Sequence, residues 1–128
     1  MKKLILLLLI IHFQFLANAQ EYKFRANFKE VKIENDVKQY ESTSILILNL
    51  ESLTLKVYDI VSETYNIYKS FEIDDHTTMF PSIDKNNNEF AIELDFQEEY
   101  IYITIQNATE NKIGAFDHIQ YVCKRLIE

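Results

Sequence analysis

The side chains able to do chemistry are few in this chain, and their spacing decides what each could do. Of the three histidines, His76 stands beside Asp74 and Asp75, and His118 follows Asp117. An imidazole flanked by carboxylates could start a metal site. Nothing adjacent supplies a second nitrogen or thiolate ligand, so a solvated turn is the expected setting. Asp84-x-Asn86-x-Asn88, with Asp95 at the twelfth position, has the outline of a calcium loop. The outline fails on chemistry: Glu89 stands where a glycine must bend the loop, and Ile92 cannot act as the ninth-position ligand. The same stretch reads better as a hairpin turn, in which aspartate and asparagine bond their own backbone.

Paired acids such as Glu98-Glu99 could share acid–base work only if folding gathers them in a cleft. The chain has no G-x-S-x-G, no C-x-x-C and no glycine-rich phosphate loop, and it holds a single glycine. Asn107-Ala108-Thr109 matches the glycosylation sequon. Cys123 is the only cysteine, so no internal disulfide can form and a packed core must supply stability. A small buried apolar side chain is the expected role of that thiol. No cofactor, no metal and no catalytic set follows from these residues, and the chain reads as a non-enzyme.

Tyrosine is the one compositional clue to binding. Tyr58, Tyr68, Tyr100 and Tyr102 fall opposite the better apolar faces of their strands, and outward tyrosines favour recognition. The plain alternative is that they cover the second side of the sheet.

The elements that carry these residues read as strands. Ser44–Asp59 holds two apolar runs, Ile45–Leu48 and Leu53–Val57, around the break Asn49-Leu50-Glu51-Ser52. A period of two with so short a break predicts a hairpin in which Leu53, Leu55 and Val57 share a face. Before it, Phe24, Ala26 and Phe28 alternate with polar residues, and the apolar set then moves to Val31 and Ile33. That change of phase at Lys29-Glu30 predicts a bulge in one long bent strand. Asn35–Ser42 is polar and predicts a loop. Thr64–Ile73 predicts one strand, with Tyr65, Ile67, Phe71 and Ile73 on a face that Lys69 interrupts. Thr77–Ile83 contains Pro81 and predicts an edge or irregular strand. Phe90–Phe96 and Tyr100–Gln106 alternate cleanly and predict a second hairpin. Ala115–Glu128 fits a strand through Ile119, Tyr121 and Cys123, or a helix stripe; strand is the expectation because Tyr121-Val122-Cys123 favours it.

Seven or eight short antiparallel strands predict an all-β fold, an up-and-down barrel or a sandwich. The inward candidates are Leu53, Leu55, Val57, Tyr65, Ile67, Phe71, Phe90, Ile92, Leu94, Ile101, Ile103 and Ile105. They are large, so the interior is expected to be filled rather than hollow.

Lys2 and Lys3, the apolar run Leu4–Ile11 and Ala17-Asn18-Ala19 read as a cleaved signal peptide over residues 1–19. A single domain over 20–128 follows, secreted or periplasmic, with no membrane insertion once the leader is gone. Cleavage moves the net charge from −7 to −9, eleven basic against twenty acidic side chains. Such a balance disfavours nucleic acid and anionic membranes and suits a basic protein partner.

The order SLTLKVYD, ETYNIYKSFEI, SIDKNNNEFAIEL, YIYIT and QYVCK resembles that of small secreted lipocalin-like β-proteins of Gram-negative bacteria. The resemblance implies a short antiparallel barrel and no assigned activity. Two functions remain from the sequence: a non-catalytic exported module that binds a protein through surface and loops, or a lipocalin-like carrier of a small hydrophobic ligand.

Overall fold

A computed structural model describes residues 21–109 and 117–124. The expected signal peptide, the start of the 115–128 tail and its last residues lie outside the described residues. Ten strands are described: β1 (Glu21–Ile33), β2 (Asp36–Glu41), β3 (Ile45–Asn49), β4 (Thr54–Tyr58), β5 (Glu63–Ile67), β6 (Phe71–Glu72), β7 (Thr77–Ile83), β8 (Glu89–Phe96), β9 (Tyr100–Asn107) and β10 (His118–Lys124). Eight of them close a ring in the order β1-β3-β4-β5-β7-β8-β9-β10, and β10 pairs back onto β1 from Ala26↔Cys123 to Lys32↔His118. Every pairing is antiparallel, so the fold is a closed eight-stranded barrel rather than a sandwich. The tail resolves as strand through β10, where Tyr121 and Cys123 point inward.

Alternation builds the core as the pattern predicts. Leu46, Leu55, Ile92, Leu94, Ile103, Ile105 and Cys123 are essentially sealed from solvent, and they join Phe24, Ala26, Val57, Tyr65 and Phe90 in one cluster. Burial of branched and aromatic side chains at about 25 cal/mol per Å2 is the dominant stabilising term for such a barrel. Tyr65 meets Phe90 edge to face, with ring centroids 5.0 Å apart. The interior is packed with side chains.

Three local expectations need correction. Leu53 is not inward. The register Asn49↔Thr54 leaves Leu50–Leu53 as the turn, in which Leu53 takes φ 56° and is 47% exposed. Asn49 fixes that turn by accepting the Glu51 and Ser52 N–H groups through its side-chain oxygen.

Thr64–Ile73 is not one strand with a common buried face. β5 ends at Ile67, β6 is two residues long, and Phe71 and Ile73 are exposed. The break faces Pro81 on β7. Pro81 accepts the Tyr68 N–H at 3.1 Å but has no N–H to return, so the ladder cannot continue there. The irregular position expected of Pro81 is thus the gap between β5 and β6.

Asn35–Ser42 is a strand, β2, rather than a loop. It hairpins onto β1 from Ile33↔Asp36 to Phe28↔Glu41, and all six of its residues are exposed. Polarity concealed it, because β2 contributes nothing to the core.

Candidate functional site

The bulge in β1 makes the site. Between Ala26 and Phe28 the register against β10 shifts by one residue. A bulge of this kind turns the side chains that follow it to the opposite faces. Phe28, which continues the pattern of Phe24 and Ala26 in sequence, faces outward and is 53% exposed. Lys29 faces the same side as Tyr121, its partner in β10, and so points into the barrel mouth. The sequence places the phase change two residues late, since Phe28 looks like one more inward residue.

At that mouth, the β4–β5 connection offers Asp59. Lys29 Nζ donates to Asp59 Oδ2 at 2.7 Å, and the Tyr121 hydroxyl donates to the same oxygen at 3.0 Å. Asp59 Oδ1 accepts the Ile60 N–H at 2.8 Å, and the Ser44 hydroxyl adds a further bond. Both ends of the ion pair are largely shielded, at 16% side-chain exposure each. Burial by itself would raise the Asp59 pKa. The bonds from Lys29, Ile60, Ser44 and Tyr121 outweigh it and hold the carboxyl below its ordinary value. Tyr121 moves the other way: burial, then the Asp59 charge, raise its hydroxyl well above the usual 10. The arrangement is a clasp that ties β1, β10 and the β4–β5 loop across the opening.

Beyond the clasp, β2 extends the sheet outside the ring along the C-terminal half of β1, whose other edge pairs with β10; β2 and that half of β1 form a ribbon at the rim. One face carries Lys29, Val31 and Ile33 opposite Tyr40, Lys38 and Asp36, with Lys29 Nζ 5.9 Å from the centre of the Tyr40 ring. The other face carries Phe28, Glu30 and Lys32 opposite Glu41, Gln39 and Val37. A shallow open groove of about 300 Å3 lies at the bulge, lined by Asn27, Phe28, Glu41, Ser42 and Thr43. Ile60 and Val61 stand exposed on the loop that carries Asp59.

The opposite end of the barrel holds a second polar cluster. His76 Nδ1 lies 2.6 Å from Asp95 Oδ1, Gln97 donates to that oxygen at 2.8 Å, and the Thr77 hydroxyl lies 3.1 Å from the same ring nitrogen. The His76 N–H is held by Asp74 Oδ1 at 3.0 Å. A catalytic triad sets carboxylate and nucleophile on different imidazole nitrogens. Here Asp95 and the hydroxyl share Nδ1, so the cluster orders a turn. Among the described residues no three His, Cys, Asp or Glu side chains are grouped to hold a metal.

The calcium outline dissolves in the same way. Asp84 accepts the Asn86 and Asn88 N–H groups on Oδ1 and the Asn88 side-chain amide on Oδ2, which closes the turn. Desolvation raises the Asp84 pKa, and those bonds more than reverse it. Asp95 sits at the far end of β8, bonded to His76. The sequon residue Asn107 is buried in β9, where its side-chain oxygen accepts the Thr109 N–H. Cys123 is fully buried, and desolvation pushes its thiol up to about 12.

Tyr58, Tyr68 and Tyr100 are exposed, and Tyr102 is half-buried. They do not converge. Tyr58 lies on β4, whereas Tyr100 and Tyr102 lie on β9, four places away around a ring of eight. The ribbon and the clasp are what sequence reasoning missed. The β1 phase change was the available signal for the first; nothing local points to the second, whose members are 30 and 62 residues apart. Comparison with protein-family models, with curated proteins and with solved structures finds no match.

Proposed function

We propose that this protein is an exported, non-catalytic binding module that engages a protein partner through the β1–β2 ribbon. The observation that carries the reading is an asymmetry of the sheet. Eight strands pair on both sides in a closed ring. Of the two strands left over, β6 is two residues long and pairs with β7, while β2 is six residues long and, among the described residues, pairs only with β1 and ends the strand order. An exposed edge is a template for another strand, and its backbone groups supply affinity while neighbouring side chains supply selectivity. Phe28, Ile33, Val37 and Tyr40 give the ribbon exposed apolar contacts, as a recognition element requires. The acidic balance directs it away from nucleic acid and anionic membranes and leaves protein as the partner class.

The carrier alternative, a lipocalin-like barrel holding a hydrophobic ligand, draws on the same closed architecture. The packed core weighs against it, because the inward positions are filled by large side chains. The shared use of His76 Nδ1 weighs against hydrolysis at the other rim.

Two measurements separate the readings. The protein immobilised by a tag and exposed to envelope and medium extracts retains a specific partner, and Val37→Pro on the free edge abolishes retention. Saturable one-to-one uptake of a hydrophobic fluorophore by the native protein overturns the module and establishes the carrier.

A further inference from the structure

The hydrogen-bond parity of the ribbon identifies which backbone groups are free. Ser42 N–H donates to the Asn27 carbonyl at 2.9 Å, and antiparallel pairs alternate between bonded and non-bonded. Counting along the register from that bond, Lys29–Tyr40, Val31–Lys38 and Ile33–Asp36 are the bonded pairs. Val37, Gln39 and Glu41 therefore turn their N–H and C=O groups away from β1. Among the described residues no strand meets that edge.

We propose that the occupant of this edge is a second copy of the same chain, paired antiparallel through β2 about a two-fold axis at Gln39. The inference rests on the ribbon being the binding element, and it names the partner. Three registers bring two β2 strands together over most of their length. Centring on Lys38 sets the two Lys38 ammonium groups against each other and leaves the Glu41 backbone outside the strand-to-strand ladder. Centring on Tyr40 leaves the Val37 backbone outside it in the same way. Centring on Gln39 pairs Gln39 with Gln39 and Val37 with Glu41, so every outward N–H and C=O of β2 finds a partner.

Side chains favour the same register. Lys38 of each copy then faces Tyr40 of the other, an ammonium beside an aromatic ring, and no like charges stand directly opposite. Within one chain Lys38 is also 3.8 Å from Asp36, an exposed pair that leaves the ammonium accessible. The result is one continuous sheet across two barrels, in which each β2 edge is closed by the other through the two-fold symmetry.

Sedimentation velocity over a roughly hundredfold concentration range tests this, since a dimer obeys mass action. Wild type is expected to move from monomer to dimer. Val37→Pro removes an outward N–H without touching a bond to β1, and raises the dimer dissociation constant at least about tenfold. A second measurement does not depend on that variant folding. Bonded antiparallel pairs have Cα atoms about 5.5 Å apart, within disulfide reach, so Gln39→Cys cross-links to itself on mild oxidation. Val37→Cys does not, because Glu41 faces it. A protein that stays monomeric throughout with no Gln39→Cys link overturns the proposal. Equal linking of Val37→Cys and Gln39→Cys, or a dimer that persists unchanged in Val37→Pro, also overturns it. If the protein is monomeric yet Val37→Pro still abolishes capture of another protein, the binding module stands and only the second copy fails.

Discussion

The two halves of β1 are one continuous strand with opposite fates. Its first half, Glu21–Ala26, alternates exposed and shielded residues, sends Phe24 and Ala26 into the core, and pairs with β3. Its second half, Phe28–Ile33, is hydrogen-bonded as regularly, to β2 and β10, yet none of its residues is buried. Backbone pairing is at least as extensive in the second half as in the first, and burial is not. Where burial is spent the strand is structural; where the bulge withdraws it, the strand is left as a surface.

The largest effect expected from that contrast lies in the core. Ile103→Ala on β9, at a sealed position, is expected to cost about 2–5 kcal/mol, whereas Val37→Ala on the ribbon should cost under about 0.5 kcal/mol. Denaturant titration measures both. A ribbon substitution as costly as a core one would mean that the ribbon is packed against something, and the contrast would break.

Next in size is the clasp, which joins the two regions. Asp59→Ala leaves the Lys29 ammonium and the Tyr121 hydroxyl shielded without their acceptor, at an expected cost of about 1–3 kcal/mol. The carboxyl sits below its ordinary value in the folded protein, so its contribution is present above the unfolded value near 4. That contribution is lost as pH falls through the folded value. Asp59→Asn should therefore flatten part of the acid loss of stability below about pH 4. An unchanged acid profile in that variant would show that the clasp carries no linkage.

Much of this contrast was legible in advance and part was not. The core strands were plain because Phe90, Ile92, Leu94, Ile101, Ile103 and Ile105 alternate with polar residues, and a period of two has one reading when one face is buried. Leu53 and Phe71 were misplaced because hydropathy cannot see a positive φ or a proline on the neighbouring strand. β2 was invisible for a related reason, since an exposed strand has no apolar period to betray it. The clasp exists only after closure, which brings Tyr121 beside Asp59 across 62 residues.

A smaller, alkaline effect reports on the barrel alone. Burial raises Tyr65, Tyr121 and Cys123, the last to about 12, and all three point into the core. Their neutral forms are favoured in the folded state, so stability is full below the ordinary values. It falls as pH rises from the ordinary thiol value toward the folded ones, the unfolded chain ionising first. Cys123 is expected to stay unreactive to a thiol reagent at neutral pH and to label at the rate of global unfolding. Rapid labelling of the native protein would mean that the β1–β10 seam opens by itself.

The smallest expected effect is the most discriminating, because it asks whether the ribbon folds with the barrel or apart from it. Glu34 in the β1–β2 turn and Leu53 in the β3–β4 turn both hold positive φ, 55° and 56°, where a Cβ is crowded and glycine is not. Replacing either by glycine relieves that crowding, against the greater freedom glycine gives the unfolded chain, for a net gain of about 0.5–1 kcal/mol. The local chemistry is matched, so any difference in outcome comes from the surroundings. The Leu53 carbonyl accepts the Ile67 N–H at 2.8 Å, which ties its turn to β5 and hence to the barrel. Leu53→Gly should then raise the melting temperature by about 2–8 °C. The Glu34 turn is tied to the barrel on its β1 side, where the Lys32 carbonyl accepts the Asp117 N–H at 2.6 Å, while its other arm is β2, which has no buried residue to lose. If β2 frays before the barrel melts, Glu34→Gly leaves the melting temperature nearly unchanged and instead slows hydrogen exchange at the Lys38 and Tyr40 N–H groups. Equal rises in the two variants would show one cooperative unit, with the ribbon held as firmly as the wall from which it departs.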